Sequence, residues 1–175
     1  MNNMHITMNN KLLTHALSAL LFVFPIHLIF IFLKNFLYDF GLLKGEKIDA
    51  KVISVGNIAL GGTGKTPLVI WLTKLLEKNG YKPGIVSRGY GGSSTKPIII
   101  NDETSVSVSG DEPLIISRNT LRPVCISTNR IAAIKKLLAD TDTDIVISDD
   151  GLQHYKMDRD IEIIVFDGNR GIGNG

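Results

Sequence analysis

From residue 46 onward, short apolar runs alternate with stretches in which apolar side chains recur every three or four positions. The runs at 52–55, 85–87, 98–100, 124–127, 145–148 and 161–166 are rich in β-branched residues. They are too short for helices, so they predict strands. Residues 67–79 begin on Pro67 and stop before Gly80, which predicts a helix with a well-placed start and end. Residues 112–118 predict a short helix. Residues 129–139 predict a longer one, because Ile131, Ile134, Leu137 and Leu138 share a face. Alternation of this kind argues an α/β fold: a mostly parallel, Rossmann-like sheet with helices on both faces. The runs at 145–148 and 161–166 are expected as buried strands of that sheet.

The first part of the chain follows a different pattern. Residues 1–11 are polar, and 16–33 are almost wholly apolar, interrupted only by Ser18, Pro25 and His27. That length approaches the roughly 18–20 residues that span a bilayer. Residues 35–40 then keep an apolar and aromatic face, as a helix lying in a membrane interface does. Lys34 ends the run without a small-residue cleavage site, which argues against a cleaved signal peptide. Lys34, Lys44, Lys47 and Lys51 follow it and place the downstream region on the cytoplasmic side. The expected organisation is a hydrophobic, membrane-associating helix within 1–45, either spanning or interfacial, and a domain over 46–175.

The predicted strand at 52–55 and the helix from Pro67 enclose the most informative segment, Gly-Gly-Thr-Gly-Lys-Thr at 61–66. Glycines between a strand and a helix let successive backbone N–H groups face one concavity, at a helix terminus whose dipole favours anions. This is a P-loop, the cradle for nucleotide phosphates. Gly61, Gly62, Thr63 and Gly64 would supply the cradle. Lys65 would reach the β/γ-phosphates, and the Thr66 hydroxyl would bind Mg²⁺. One position departs from the consensus, which has Gly where Ala59 stands.

Composition then narrows the partners. A net charge of +2 over 175 residues gives nucleic acid no electrostatic case. The single cysteine, Cys125, lies within a predicted strand and reads as a buried structural thiol in a reducing compartment. One Cys and four scattered His offer no zinc spacing, so the expected metal is nucleotide-bound Mg²⁺ held by oxygens. Residues 145–150, Ile-Val-Ile-Ser-Asp-Asp, have the form of a Walker B strand ending in carboxylates at the sheet edge where α/β folds bind ligands. Asp149 or Asp150 would hold Mg²⁺ or its waters, with Asp167, at the end of the last strand, a competitor. Arg88 offers forked donors to a phosphate. Asp111 and Glu112 stand at a predicted helix start, where acids also serve the helix dipole. Gln153 and His154 follow the Asp pair closely.

The motifs Val-Gly-Asn-(x)3-Gly-Gly-Thr-Gly-Lys-Thr-Pro at 55–67, Ser-Arg-Gly-Tyr-Gly at 87–91 and Gly-Asp-Glu-Pro at 110–113 stand in that order, before Asp-Asp-Gly-Leu-Gln-His at 149–154 and Arg-Gly-Ile-Gly-Asn-Gly at 170–175. Together they resemble the tetraacyldisaccharide 4′-kinase family of lipid A biosynthesis, and the apolar run resembles that family's membrane-docking helix. The resemblance implies a P-loop kinase on the cytoplasmic face of the bacterial inner membrane. It would use ATP and Mg²⁺ to phosphorylate the 4′-hydroxyl of a tetraacylated glucosamine disaccharide 1-phosphate. It implies Asp111 as the base, Lys65 and Thr66 on phosphates and Mg²⁺, and Asp149 with Asp150 as the Walker B pair. Arg88, Tyr90, Arg130 and His154 would hold substrate or nucleotide.

Family members run on for roughly as long again past the position of Gly175. The expectation is therefore a chain that binds nucleotide poorly or is inactive alone, and that needs a second half, here or on a separate polypeptide. The competing readings are a membrane-associated P-loop ATPase of the partitioning type and a non-catalytic remnant. The first calls for Lys where Leu60 stands before Gly61.

Overall fold

The computed structural model describes residues 24–25, 28–33, 36–37, 45–57, 64–89, 96–154, 156–166 and 168. The chain divides into two compact units, Met1–Lys44 and Gly45–Gly175. In the first, the described residues are helical and apolar all round, with Ile29, Phe30 and Phe32 each about two-thirds exposed. Phe32 and Phe36, one turn apart, stack with ring centroids 6.5 Å apart. Among the described residues no helix is long and apolar enough to cross a membrane.

The second unit is a six-stranded sheet. Its strands are β1 (Lys51–Asn57), β2 (Pro83–Ser87), β3 (Ile98–Ile99), β4 (Val124–Ile126), β5 (Ile145–Asp149) and β6 (Ile161–Val165), in the order β3-β4-β2-β5-β1-β6. All neighbours are parallel except β3, which runs antiparallel to β4. The helices are α1 (Lys65–Lys78), α2 (Val106–Ser109), α3 (Asp111–Thr120) and α4 (Arg130–Asp140). The mostly parallel α/β sheet read from the periodicity is the fold observed. The sequence pattern did not signal α2, a single turn of Val and Ser residues.

Strand alternation sorts the core into two layers. On one face Ile53, Val55, Ile85, Val124 and Ile147 pack with Val69 and Leu72 of α1 and with Leu114 and Ile116 of α3. On the other, Val52, Val86, Cys125 and Val146 pack with Ala133, Ile134 and Leu137 of α4. Cys125 is fully buried, and desolvation pushes its thiol up to about 11, so it stays protonated and inert.

One strand departs from expectation. β6 was expected to be buried like β5, but Ile161 is 52% exposed and Ile164 42%. The reason is topological. β6 pairs with β1 on one side and has no strand on its other side among the described residues. An apolar run reports that a strand wants burial, not where in the sheet order it falls.

Candidate functional site

Parallel strands share one C-terminal edge, and β1, β2, β4 and β5 all end there. The first chemical group on it comes from the start of α1. Gly64 caps that helix with φ +80°, a left-handed conformation that costs glycine nothing. Lys65 and Thr66 therefore enter the first turn, both half-buried, with no acidic side chain of that turn beside them. Gly61, Gly62 and Thr63 lie outside the described residues, as do Tyr90 and Asp167.

The Lys65 ammonium donates to Asp150 Oδ1 at 2.7 Å, joining the head of α1 to the turn after β5. Asp150 stands at φ +54°, and the next amide, Gly151 N–H, donates back to the Val55 carbonyl at 3.2 Å. Gly151 has to be glycine for space: an added Cβ would sit 2.5 Å from Ser148 Oγ and 2.6 Å from Ser54 Oγ. This tight turn exposes the Asp150 carboxylate and leaves that of Asp149 buried.

Asp149 is 3% exposed and accepts a hydrogen bond from Ser87 Oγ at 3.1 Å. Desolvation raises its pKa. The Ser87 bond pulls the other way, Glu112 adds to the rise, and Lys65 and Arg130 oppose it. A carboxylate held above its ordinary range by burial gains most from a cation brought close to it. Ser87 and Glu112 fall in the motifs at 87–91 and 110–113, but their effect on Asp149 was not among the expectations.

Arg130, first residue of α4, is 2% exposed. It donates to the Ser127 carbonyl at 3.1 Å and to the Asp149 carbonyl at 2.8 Å, and its Nε is buried without a partner. Burial lowers its pKa to about 10, so it remains charged. Both terminal nitrogens are engaged by backbone. Arg130 is therefore a strut beneath the Asp149–Asp150 turn, and what it extends to a ligand is charge more than a free fork. Arg159 braces the far side of the turn, donating to the Gly151 and Leu152 carbonyls at 3.2 and 3.1 Å. No sequence signal distinguished it from a surface arginine.

A cleft of about 260 Å³ opens beside the start of α4, lined by Thr128, Arg130, Ile131, His154 and Lys156 among others. A larger one, about 400 Å³, lies at the opposite edge of the sheet, among residues 47–51, Asp144 and 158–160. Of the groups described above it meets only Arg159. Arg88 is exposed just past β2. Asp111 and Glu112 open α3 as exposed residues, with Asp111 at the first helical position.

His154 is half-buried, and its pKa is lowered by desolvation first, then by the Arg130 and Arg88 charges, against the pull of Asp150. A histidine depressed below about 6.5 stabilises the fold fully above that pH, and the contribution is lost as pH falls through its folded value. The urea midpoint is therefore expected to fall between pH 7.5 and 5, and His154→Gln should flatten that slope. Equal slopes in the two proteins would show that His154 does not titrate differently on unfolding.

The groups gathered at this edge are a lysine, a threonine and a buried–exposed carboxylate pair, with helix α1 aimed at them. Among the described residues no three His, Cys, Asp or Glu form a metal cage. Few protein oxygens beside a lysine fit a cation that takes its remaining ligands from phosphates and water. The family model for tetraacyldisaccharide-1-P 4′-kinase matches residues 17–175. The chain belongs to the tetraacyldisaccharide 4′-kinase family. The kinase of Histophilus somni is 46% identical over 167 residues, covering 92% of this chain and 50% of that protein. The kinase of Mannheimia succiniciproducens is 47% identical over 143 residues, covering 81% and 44%. A crystal structure of LpxK from Aquifex aeolicus in complex with ATP superposes with a TM-score of 0.73 at 35% identity, over 84% of this chain and 48% of that one. This 4′-kinase family chain thus spans about half the length of the curated relatives it matches.

Proposed function

We propose that this chain is the nucleotide-binding half of a lipid A 4′-kinase, and that it moves the γ-phosphate of ATP to the 4′-hydroxyl of tetraacyldisaccharide 1-phosphate once the remainder of the kinase is present. The observation that carries this reading is the Lys65–Asp150 contact across the sheet edge, with buried Asp149 beside it. An exposed ion pair is worth only about 0–1 kcal/mol. Lys65 can therefore leave Asp150 for a triphosphate at little cost.

Residues 61–64 would direct amides at the phosphates, and Lys65 would neutralise the β/γ oxygens. Thr66, Asp149 and Asp150 are the oxygens suited to hold Mg²⁺, which when bound supplies further charge neutralisation. Asp111 would accept the proton of the 4′-hydroxyl as its oxygen attacks the γ-phosphorus and the bridging bond to ADP breaks. Arg88, Tyr90, Arg130 and His154 would orient the reactants, Arg130 by its charge. Such transfer is mainly positioning and electrostatics, which is why few residues suffice. The apolar N-terminal residues would place the site at the cytoplasmic face of the inner membrane, beside the acyl chains of the acceptor. No nucleic acid partner is involved.

The test joins the chain to the unmatched half of the Histophilus somni kinase and supplies ATP, Mg²⁺ and the disaccharide 1-phosphate in detergent micelles. Calorimetry should show Mg²⁺-dependent ATP binding, and radiolabel should pass to the lipid. Absence of both in a folded, associated pair would falsify the proposal.

A further inference from the structure

The two edges of the sheet are built differently. At one end β3 has only two residues and runs antiparallel to β4, a short edge of the kind that resists further pairing. At the other, β6 and the residue after it read Ile-Glu-Ile-Ile-Val-Phe. Ile161 points to the α1 face, where Ile163 and Val165 reach the core, and Ile164 alternates to the opposite face. Ile161 is 52%, Ile164 42% and Phe166 45% exposed, so apolar surface stands open on both sides of one strand. The single charge, Glu162, is tied to Arg159. Parallel strands are ordinarily covered on both faces, and an apolar edge strand that carries no proline, with its one charge already paired, is a template for pairing.

We infer that β6 is the docking edge for the other half of the kinase, which adds a strand beside it and lays apolar side chains over Ile161 on one face and Ile164 and Phe166 on the other. The occupant follows from length: the matched kinases continue for about as many residues as they share with this chain. This rests on the reading that the chain works together with such a half. A second copy of the chain would leave β3 unused in the same way, but would pair β6 with its own equivalent.

The test mixes the purified chain with a polypeptide comprising the unmatched half of the Histophilus somni kinase and follows binding by sedimentation. A complex is expected. Ile161→Lys and Ile164→Lys should weaken it at least tenfold without lowering the unfolding midpoint of the chain alone, since both side chains are already exposed. Leu121→Lys, at a 90% exposed position outside β6, should leave binding unchanged. Hydrogen exchange on the unsubstituted chain should show β6 amides slowing only in the complex. The inference is overturned if no complex forms, if the lysine variants bind as well as the parent, or if β6 exchange is unaffected. A dimer of the chain alone that Ile164→Lys dissolves would also overturn it, by giving the edge to a second copy. Docking through β6 without phosphoryl transfer would support this inference and refute the kinase reading.

Discussion

Lys65→Ala in the reconstituted kinase should lower the rate of phosphoryl transfer by about 10²–10³-fold or more, the scale of losing one preorganised electrostatic contact, about 3–4 kcal/mol of transition-state stabilisation. The lysine enters from the first turn of α1 and reaches the turn after β5, so its charge sits where two elements converge, beside the proposed phosphate cradle. Folding should barely change. The Asp150 partner is 58% exposed, and pairs of that kind contribute about 1 kcal/mol at most. A circular-dichroism melt within a degree or two of the parent, together with a collapse of label transfer to the lipid, is the expected pair of results. Transfer within threefold of the parent would remove Lys65 from the phosphates. A large drop in melting temperature would assign it a structural role instead.

Ile147→Ala should destabilise the Gly45–Gly175 unit by about 2–5 kcal/mol. Ile147 is fully buried in β5, flanked in register by Ile53 of β1 and Ile85 of β2. The strands on either side and the helices above hold one another, so the space left by three carbons cannot close completely. Against a total of about 5–15 kcal/mol that is a large fraction, expected to lower the melting temperature by roughly 10 °C. Ile147→Val should cost only about 0.5–1.5 kcal/mol. Urea unfolding of both variants is the measurement, and a loss below about 1 kcal/mol for the alanine would mean that the core can repack around the gap. By contrast, Ile164→Ala on β6 should cost little in the isolated chain, because water already reaches that side chain.

Several features of the site could be read before any coordinates. Residues 145–148 were legible as a strand, one residue short of the observed end, because four β-branched or small residues precede two aspartates, and a parallel strand buried on both faces needs no polar alternation. The junction before α1 was legible because Gly64, Lys65 and Thr66 stand between strand and helix patterns, although the helix begins at Lys65 and not at the expected Pro67. What stayed hidden was which aspartate is buried. Asp149 continues the extended strand and points into the α1 face, while Asp150 takes a positive φ and turns its carboxylate to Lys65. Two identical neighbouring letters carry no trace of that turn. Arg130 was read as a group for ligands, yet its carbonyl contacts depend on where α4 begins relative to the end of β5.

The amino-acid order by itself determined the class of sheet, the strand–glycine–helix junction that opens α1 and the family. Those follow from local matters: side-chain periodicity, the conformational freedom of glycine, and chemically distinctive residues close together along the chain. Only the tertiary structure decided the strand order, and with it the exposed flank of β6, the burial of Asp149 and the bracing of its turn by Arg130 and Arg159. Those depend on pairings between residues scores of positions apart. Local sequence records the appetite of each segment for burial, and only the assembled sheet distributes the places where that appetite is met.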